Sequence, residues 1–155
     1  MPTGNLATLR QTIAARIAAT STTAFRQGTS TAWKQERHPF AILDASHARK
    51  HLTFSANVDS ANVTDRGAGS SSANPWQIEA SVRVLFSYRI RASRRADLDL
   101  SSTAAEAVAA SILSLDTEDA TYRILPDLIY SPTLTDDGET VLIEQRYLIR
   151  FDSTI

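Results

Sequence analysis

At 155 residues the chain is long enough for one domain to bury roughly 70% of its unfolded surface, so no metal or disulfide staple is needed to hold it. Sixteen lysines and arginines against seventeen acidic residues argue against a DNA-coating or polybasic membrane-binding protein. The absence of cysteine excludes disulfide frameworks, thiolate metal sites and cysteine nucleophiles, and fits a reducing compartment.

No apolar run approaches the ~20 residues that span a bilayer, so no membrane segment is expected. The opening MPTGNLATLRQTIAARIAA lacks a basic start followed by an apolar block, so it does not read as a secretory signal. Its Arg10, Arg16 and lack of acids share features with a transit peptide, but the same residues make a good first helix. Leu6, Leu9, Ile13 and Ile17 recur at three- and four-residue spacing behind Asn5, an N-cap residue, and the helix should end near the Thr/Ser cluster at 20–23. Ala14, Ala15, Ala18 and Ala19 would let it lie close to a sheet.

Residues 23–27 and 33–43 read as extended, interrupted by Gly28 and Pro39. The stretch 51–58 alternates more clearly, with Leu52, Phe54, Ala56 and Val58 on one side. Residues 59–75, DSANVTDRGAGSSSANP, carry too little apolar surface to offset the entropy of ordering and read as a mobile loop between two strands of a single domain spanning 1–155. Next comes WQIEASVRVLFSYRI, in which Trp76, Ile78, Ala80, Val82, Val84, Phe86, Tyr88 and Ile90 alternate with a polar face. At ~3.3 Å per residue such a strand runs near 50 Å, so it should bend, carry a bulge or project past its domain.

Thr103-Ala-Ala-Glu106 has the form of a capping box, and Ala105, Val108, Ala109, Ile112 and Leu115 mark a second amphipathic helix. Residues 121–130 form a strand interrupted by Pro126, which belongs at an edge or bulge. Asp137-Gly138 signals a turn into a final strand, where Val141, Ile143, Tyr147, Ile149 and Phe151 share one face with Gln145 as the only exception. The order α-β-β-β-α-β-β implies an α+β domain: an antiparallel or mixed sheet with two amphipathic helices on one face.

Little in this pattern reads as chemistry. His47 and His51 have the spacing of a helical metal site, but Arg49 and Lys50 lie between them in a loop entering a strand; His38 precedes Pro39 as a turn residue. Gly67 and Gly69 resemble half of a dinucleotide loop but lack its third glycine and its strand–helix setting. Asp97 and Asp99 before the second helix, and Asp116, Glu118 and Asp119 after it, could act in acid–base catalysis or bind a divalent ion. Acids at those places are equally what a helix dipole and a polar turn favour. A small α+β enzyme using Asp97, Asp99 and a histidine is therefore the rival from another class.

The one basic concentration is Arg83, Arg89, Arg91, Arg94 and Arg95, which Arg146 and Arg150 can join on the same sheet face. Phe86, Tyr88, Tyr147 and Phe151 all alternate to the other side, so the face is no stacking platform for nucleic-acid bases. A protein interface or a solvated face, matched by acids of a partner or by Asp97 and Asp99, fits better than phosphate contact.

In plan and texture nearly the whole chain resembles the tail-terminator, or tail-completion, proteins of long-tailed bacteriophages. The resemblance lies in the first helix LATLRQTIAARIAA, the long strand RVLFSYRI, the acidic ADLDL before the alanine-rich helix STAAEAVAASIL, and the closing strand VLIEQRYLIRF. It implies a structural virion protein with no catalytic residues and no cofactor. Six copies would form a ring on the head-proximal end of the tail tube, stop its polymerisation and join it to a neck or head-completion protein. Such a protein would be made in the host cytoplasm and reside in the tail–neck region of the virion, with genomic DNA passing through the ring unread. Another neck component, an adaptor or head-completion protein, shares these features. The expected partner contacts are Arg83, Arg89, Arg91, Arg146 and Arg150 on the sheet, with Asp65 and Arg66 in the loop.

Overall fold

The computed structural model describes residues 3–20, 33–35, 53–65, 76–90, 95–134 and 139–153. Helix α1 spans Leu6–Ala19. Asn5, in extended backbone, caps it by accepting the Thr8 N–H on its side-chain oxygen at 2.8 Å. Leu9, Ile13 and Ile17 are fully buried, each stabilising the fold by about 1.5–3 kcal/mol, and Thr20 closes the last turn. Of the four alanines, Ala14 is buried, while Ala15, Ala18 and Ala19 are exposed.

Five strands follow: β1 (Lys34–Gln35), β2 (Thr53–Asp65), β3 (Trp76–Arg89), β4 (Tyr122–Leu134) and β5 (Thr140–Ser153). Helices α2 (Arg95–Leu113) and α3 (Leu115–Glu118) lie between β3 and β4 in sequence. The sheet order is β1-β2-β3-β5-β4, antiparallel except where β1 runs parallel to β2. This is the expected α+β fold.

The alternation of β3 and β5 decides which face is buried. Ile78, Ala80, Val82, Val84, Phe86 and Tyr88 join Val141, Ile143, Tyr147, Ile149 and Phe151 in one core with Leu9, Ile13 and Ile17 of α1 and Ala104, Ala105, Val108 and Ile112 of α2. β3 and β5 pair over fourteen rungs without a register shift, from Trp76 opposite Ser153 to Arg89 opposite Thr140, a ladder of about 46 Å. The expected irregularities sit on the flanking strands instead. β2 shifts register between Val58 and Ser60 and again between Val63 and Asp65; β4 shifts between Leu125 and Ile129, around Pro126, and stands at the sheet edge as expected.

Two boundaries differ from the sequence reading. Residues 59–65 are not loop but the second half of β2, because β3 supplies cross-strand partners that local composition does not reveal. Helix α2 begins at Arg95, eight residues before the capping box expected at Thr103, so Thr103 sits inside the helix and its hydroxyl donates to the Asp99 carbonyl at 3.0 Å. The Asp137-Gly138 turn, Leu52, 21–32 and 36–43 lie outside the described residues.

Two contacts lock the helices to each other and to the sheet. Arg16 donates from Nη1 to the Ser111 carbonyl at 2.8 Å and to Ser114 Oγ at 3.0 Å, and its other nitrogen pairs with Glu118. A cation thereby meets the orphan carbonyls at the C-terminus of α2. The segment before α1 crosses the far end of β5, where the Gly4 N–H donates to the Asp152 carbonyl at 2.8 Å. A Cβ at Gly4 would stand 3.1 Å from Thr121 and 3.3 Å from both Phe151 and Tyr122, so only glycine fits there without displacing neighbours. Helices α2 and α3 together, 95–118, are long and apolar enough to cross a membrane by length and composition, unlike any run anticipated from the sequence. Here Ala104, Ala105, Val108 and Ile112 are buried in the sheet core.

Candidate partner interface

The face of the sheet turned away from the helices carries the charged residues that alternation assigns to it: Glu79, Arg83 and Arg89 from β3, Glu144, Arg146, Arg150 and Asp152 from β5, and Arg123 from β4, opposite Arg150. Arg83 and Arg146 stand directly opposite each other, an arrangement that repels on its own. Glu144 resolves it. Arg83 donates from Nε to Glu144 Oε1 at 3.0 Å and from Nη2 to Oε2 at 3.4 Å, while Arg146 Nε donates to the same Oε1 at 2.7 Å. Hydrogen bonding from Arg146, and then from Arg83, holds the Glu144 carboxyl below its ordinary pKa, and the Arg146 guanidinium is raised in turn by Glu144.

Along the same strands Arg150 donates from Nη2 to Glu79 Oε2 at 2.9 Å, its direct cross-strand partner. Arg89 reaches Glu139 at 3.5 Å, where both side chains are about half exposed. Four guanidiniums thus meet three carboxylates, and Asp59 adds a further attraction for Arg146. What reads in sequence as a basic patch is a nearly neutral lattice. The acids holding Arg83, Arg146 and Arg150 are Glu79 and Glu144, not Asp97 and Asp99. Between the charges lie Leu85, buried, and Leu125, Leu142 and Leu148, half-buried, an apolar floor that arginine stems can cover.

The remaining expected residues divide. Arg66, Arg91 and Arg94 lie outside the described residues, as do His38, His47, His51, Gly67 and Gly69. Asp65 ends β2 opposite Gln77, and Arg95 is the exposed first residue of α2. Phe86, Tyr88, Tyr147 and Phe151 are buried on the helix side, as the alternation requires. Asp97 is fully buried and Asp99 exposed; two positions apart on a helix they point about 200° from each other and do not converge. Glu118 serves Arg16. Asp119 accepts the Thr121 N–H at 2.9 Å, which lowers its pKa. No group of three or more acids or histidines placed to hold a metal occurs among the described residues.

One buried polar feature was only half visible in sequence. Gln145, the exception in the apolar row of β5, is 1% exposed; it donates from Nε2 to the Ala105 carbonyl of α2 at 3.0 Å and accepts the Tyr147 hydroxyl on Oε1. Burial drives the Tyr147 hydroxyl well above its ordinary pKa. The break in the pattern was the signal, but its partners come from another element and from two positions along the strand. No protein-family model matches the chain, and no curated protein matches it either.

Proposed function

We propose that this chain is a structural protein of a bacteriophage tail, a terminator that assembles as a six-membered ring on the head-proximal end of the tail tube. One ring face docks on the last ring of tube protein; the other offers a surface to the neck and does not propagate the stack. Growth ends because the growing end is occupied. A head-to-tail contact that closes by rotation generates such a ring.

The observation that carries this reading is the outer sheet face. Fourteen unbroken rungs make β3 and β5 a rigid plate, and its arginines are already paired with Glu79 and Glu144. Guanidiniums pre-paired within their own chain cost less to bury against a neighbour than free ones, and arginine is the charged residue that interfaces enrich. The near-neutral lattice also suits a ring that admits DNA without gripping it, since phosphate binding needs unneutralised cations.

Native mass spectrometry over a range of concentrations, followed by binding to purified tail tubes, tests the proposal. A discrete six-subunit species, or a monomer recruited only by tubes, is the expected result. A stable dimer that ignores tubes would refute it. For the sheet face itself, replacing Arg89 and Arg146 together by glutamate should impair assembly while the chain still folds; normal assembly would remove that face from the interface.

A further inference from the structure

The two edges of the sheet are guarded unequally. On one side, among the described residues, β1 covers β2 only at Thr53 and Phe54, and the second half of β2, residues 59–64, is exposed throughout, with Val63 at 53%. No lysine or proline protects that stretch. On the other side β4 pairs with β5 alone among the described residues. Pro126 and Pro132 each remove one backbone donor from its middle and far end, whereas the first four residues contain no proline; there Arg123, Ile124 and Leu125 keep their donors and the Tyr122 N–H donates to the Asp119 carbonyl at 3.3 Å.

These two unguarded segments match. The bulges in β2 leave four regular residues between them, Ser60, Ala61, Asn62 and Val63, and the shift in β4 leaves four before it, 122–125. They also lie at the same end of the sheet. One row runs Asn62, Glu79, Arg150, Arg123 across all four strands, and the next runs Val63, Ile78, Phe151, Tyr122. Strand directions alternate across β2, β3, β5 and β4, so β2 and β4 run in opposite senses. A second copy set beside the first in the same orientation therefore presents its β2 antiparallel to β4, with both helix layers on one side.

We propose that neighbouring copies join edge to edge, residues 122–125 of one chain adding antiparallel to residues 60–63 of the next. The contact is head-to-tail and rests on the ring reading, which it deepens by naming the surfaces that close the ring. It satisfies the outward backbone groups of β2, sets the exposed Val63 beside Tyr122 and Ala61 beside the half-buried Ile124, and places Asn62 beside Arg123 on the outer face. A second copy fits better than a foreign peptide because length, register level and direction are all complementary within this one chain.

The chain has no cysteine, which makes the test clean. The variant N62C/R123C, both sites exposed, is oxidised at a concentration where native mass spectrometry detects the assembly, with N62C/L125C to cover a two-residue slip. A non-reducing ladder rising from dimer to hexamer is expected, with N62C or R123C alone stopping at dimer and N62C/T103C giving no ladder. A hexamer in the spectrometer with no ladder from either pair would overturn the edge contact and leave the ring intact. A ladder without a discrete six-subunit species would support the edge contact and overturn the ring. Monomer with no ladder, even on tail tubes, would overturn both.

Discussion

Replacing Gln145 by leucine tests how α2 is held to the sheet. The Tyr147 hydroxyl, in a side chain only 1% exposed, would lose its acceptor, at a cost of about 1–3 kcal/mol for an unsatisfied buried donor. The Ala105 carbonyl would lose the amide bond at 3.0 Å, but it lies inside α2, where the helical ladder still serves it, so that loss adds little. Leucine fills a similar volume and regains up to about 1 kcal/mol of apolar burial. The net expectation is destabilisation by about 1–2 kcal/mol, roughly 2–8 °C in melting temperature for a chain of this length. Tyr147→Phe should cost a similar amount by orphaning the glutamine oxygen. The double variant removes both partners and should be no less stable than Gln145→Leu alone, a coupling of about 1 kcal/mol in urea unfolding. Two single variants whose costs simply add, or a Gln145→Leu protein as stable as the parent, would refute the relay.

Other consequences follow from the same geometry. Because Arg146 and Arg83 hold the Glu144 carboxyl below its ordinary value, its contribution is present above about pH 4.5 and is lost as pH falls through the folded-state pKa. Glu144→Gln should therefore be less stable than the parent by roughly 0.5–1 kcal/mol at pH 7, with the two denaturation midpoints converging as the pH falls below the folded-state pKa of Glu144. Arg16→Met keeps the aliphatic stem but uncaps α2; about 1–2 kcal/mol should be lost, with faster hydrogen exchange over residues 111–118. Assembly should weaken only several-fold between about 50 and 500 mM salt, since the outer face is nearly neutral; a loss of several orders of magnitude would mean that free arginines carry the contact.

Much of the fold was legible because its decisive signals are local and periodic. The three- and four-residue spacing of Leu9, Ile13 and Ile17, the Asn5 cap, and the two-residue alternation of Val82, Val84, Phe86 and Tyr88 each report burial through one element's own geometry. Pro126 announced an edge and a bulge for an equally local reason, a missing donor. Where the reading failed, the deciding partner was distant. Residues 59–65 look like loop by composition, yet Ser81, Ala80, Glu79, Ile78 and Gln77 provide the rungs that make them strand. The box at Thr103 was persuasive as a helix start, but α2 begins at Arg95 and passes through it.

The candidate interface shows the same division in electrostatic form. Alternation correctly sends Arg83, Arg146 and Arg150 to one face, because the side of a strand is a property of position alone. Net charge is not, since it depends on which acids stand beside those arginines across strands that sequence does not pair. Glu144 and Arg83 are 61 residues apart, Glu79 and Arg150 are 71, and only the register of β3 on β5 brings each pair together. That register turns seven ionic groups from a patch seeking anions into a surface that can be covered with little electrostatic penalty. The interaction expected of it changes accordingly, from attraction over a distance to close fit, where the half-buried leucines matter as much as the guanidiniums. A partner for such a face need not be acidic; it needs a flat, rigid shape of its own, and another strand plate supplies one.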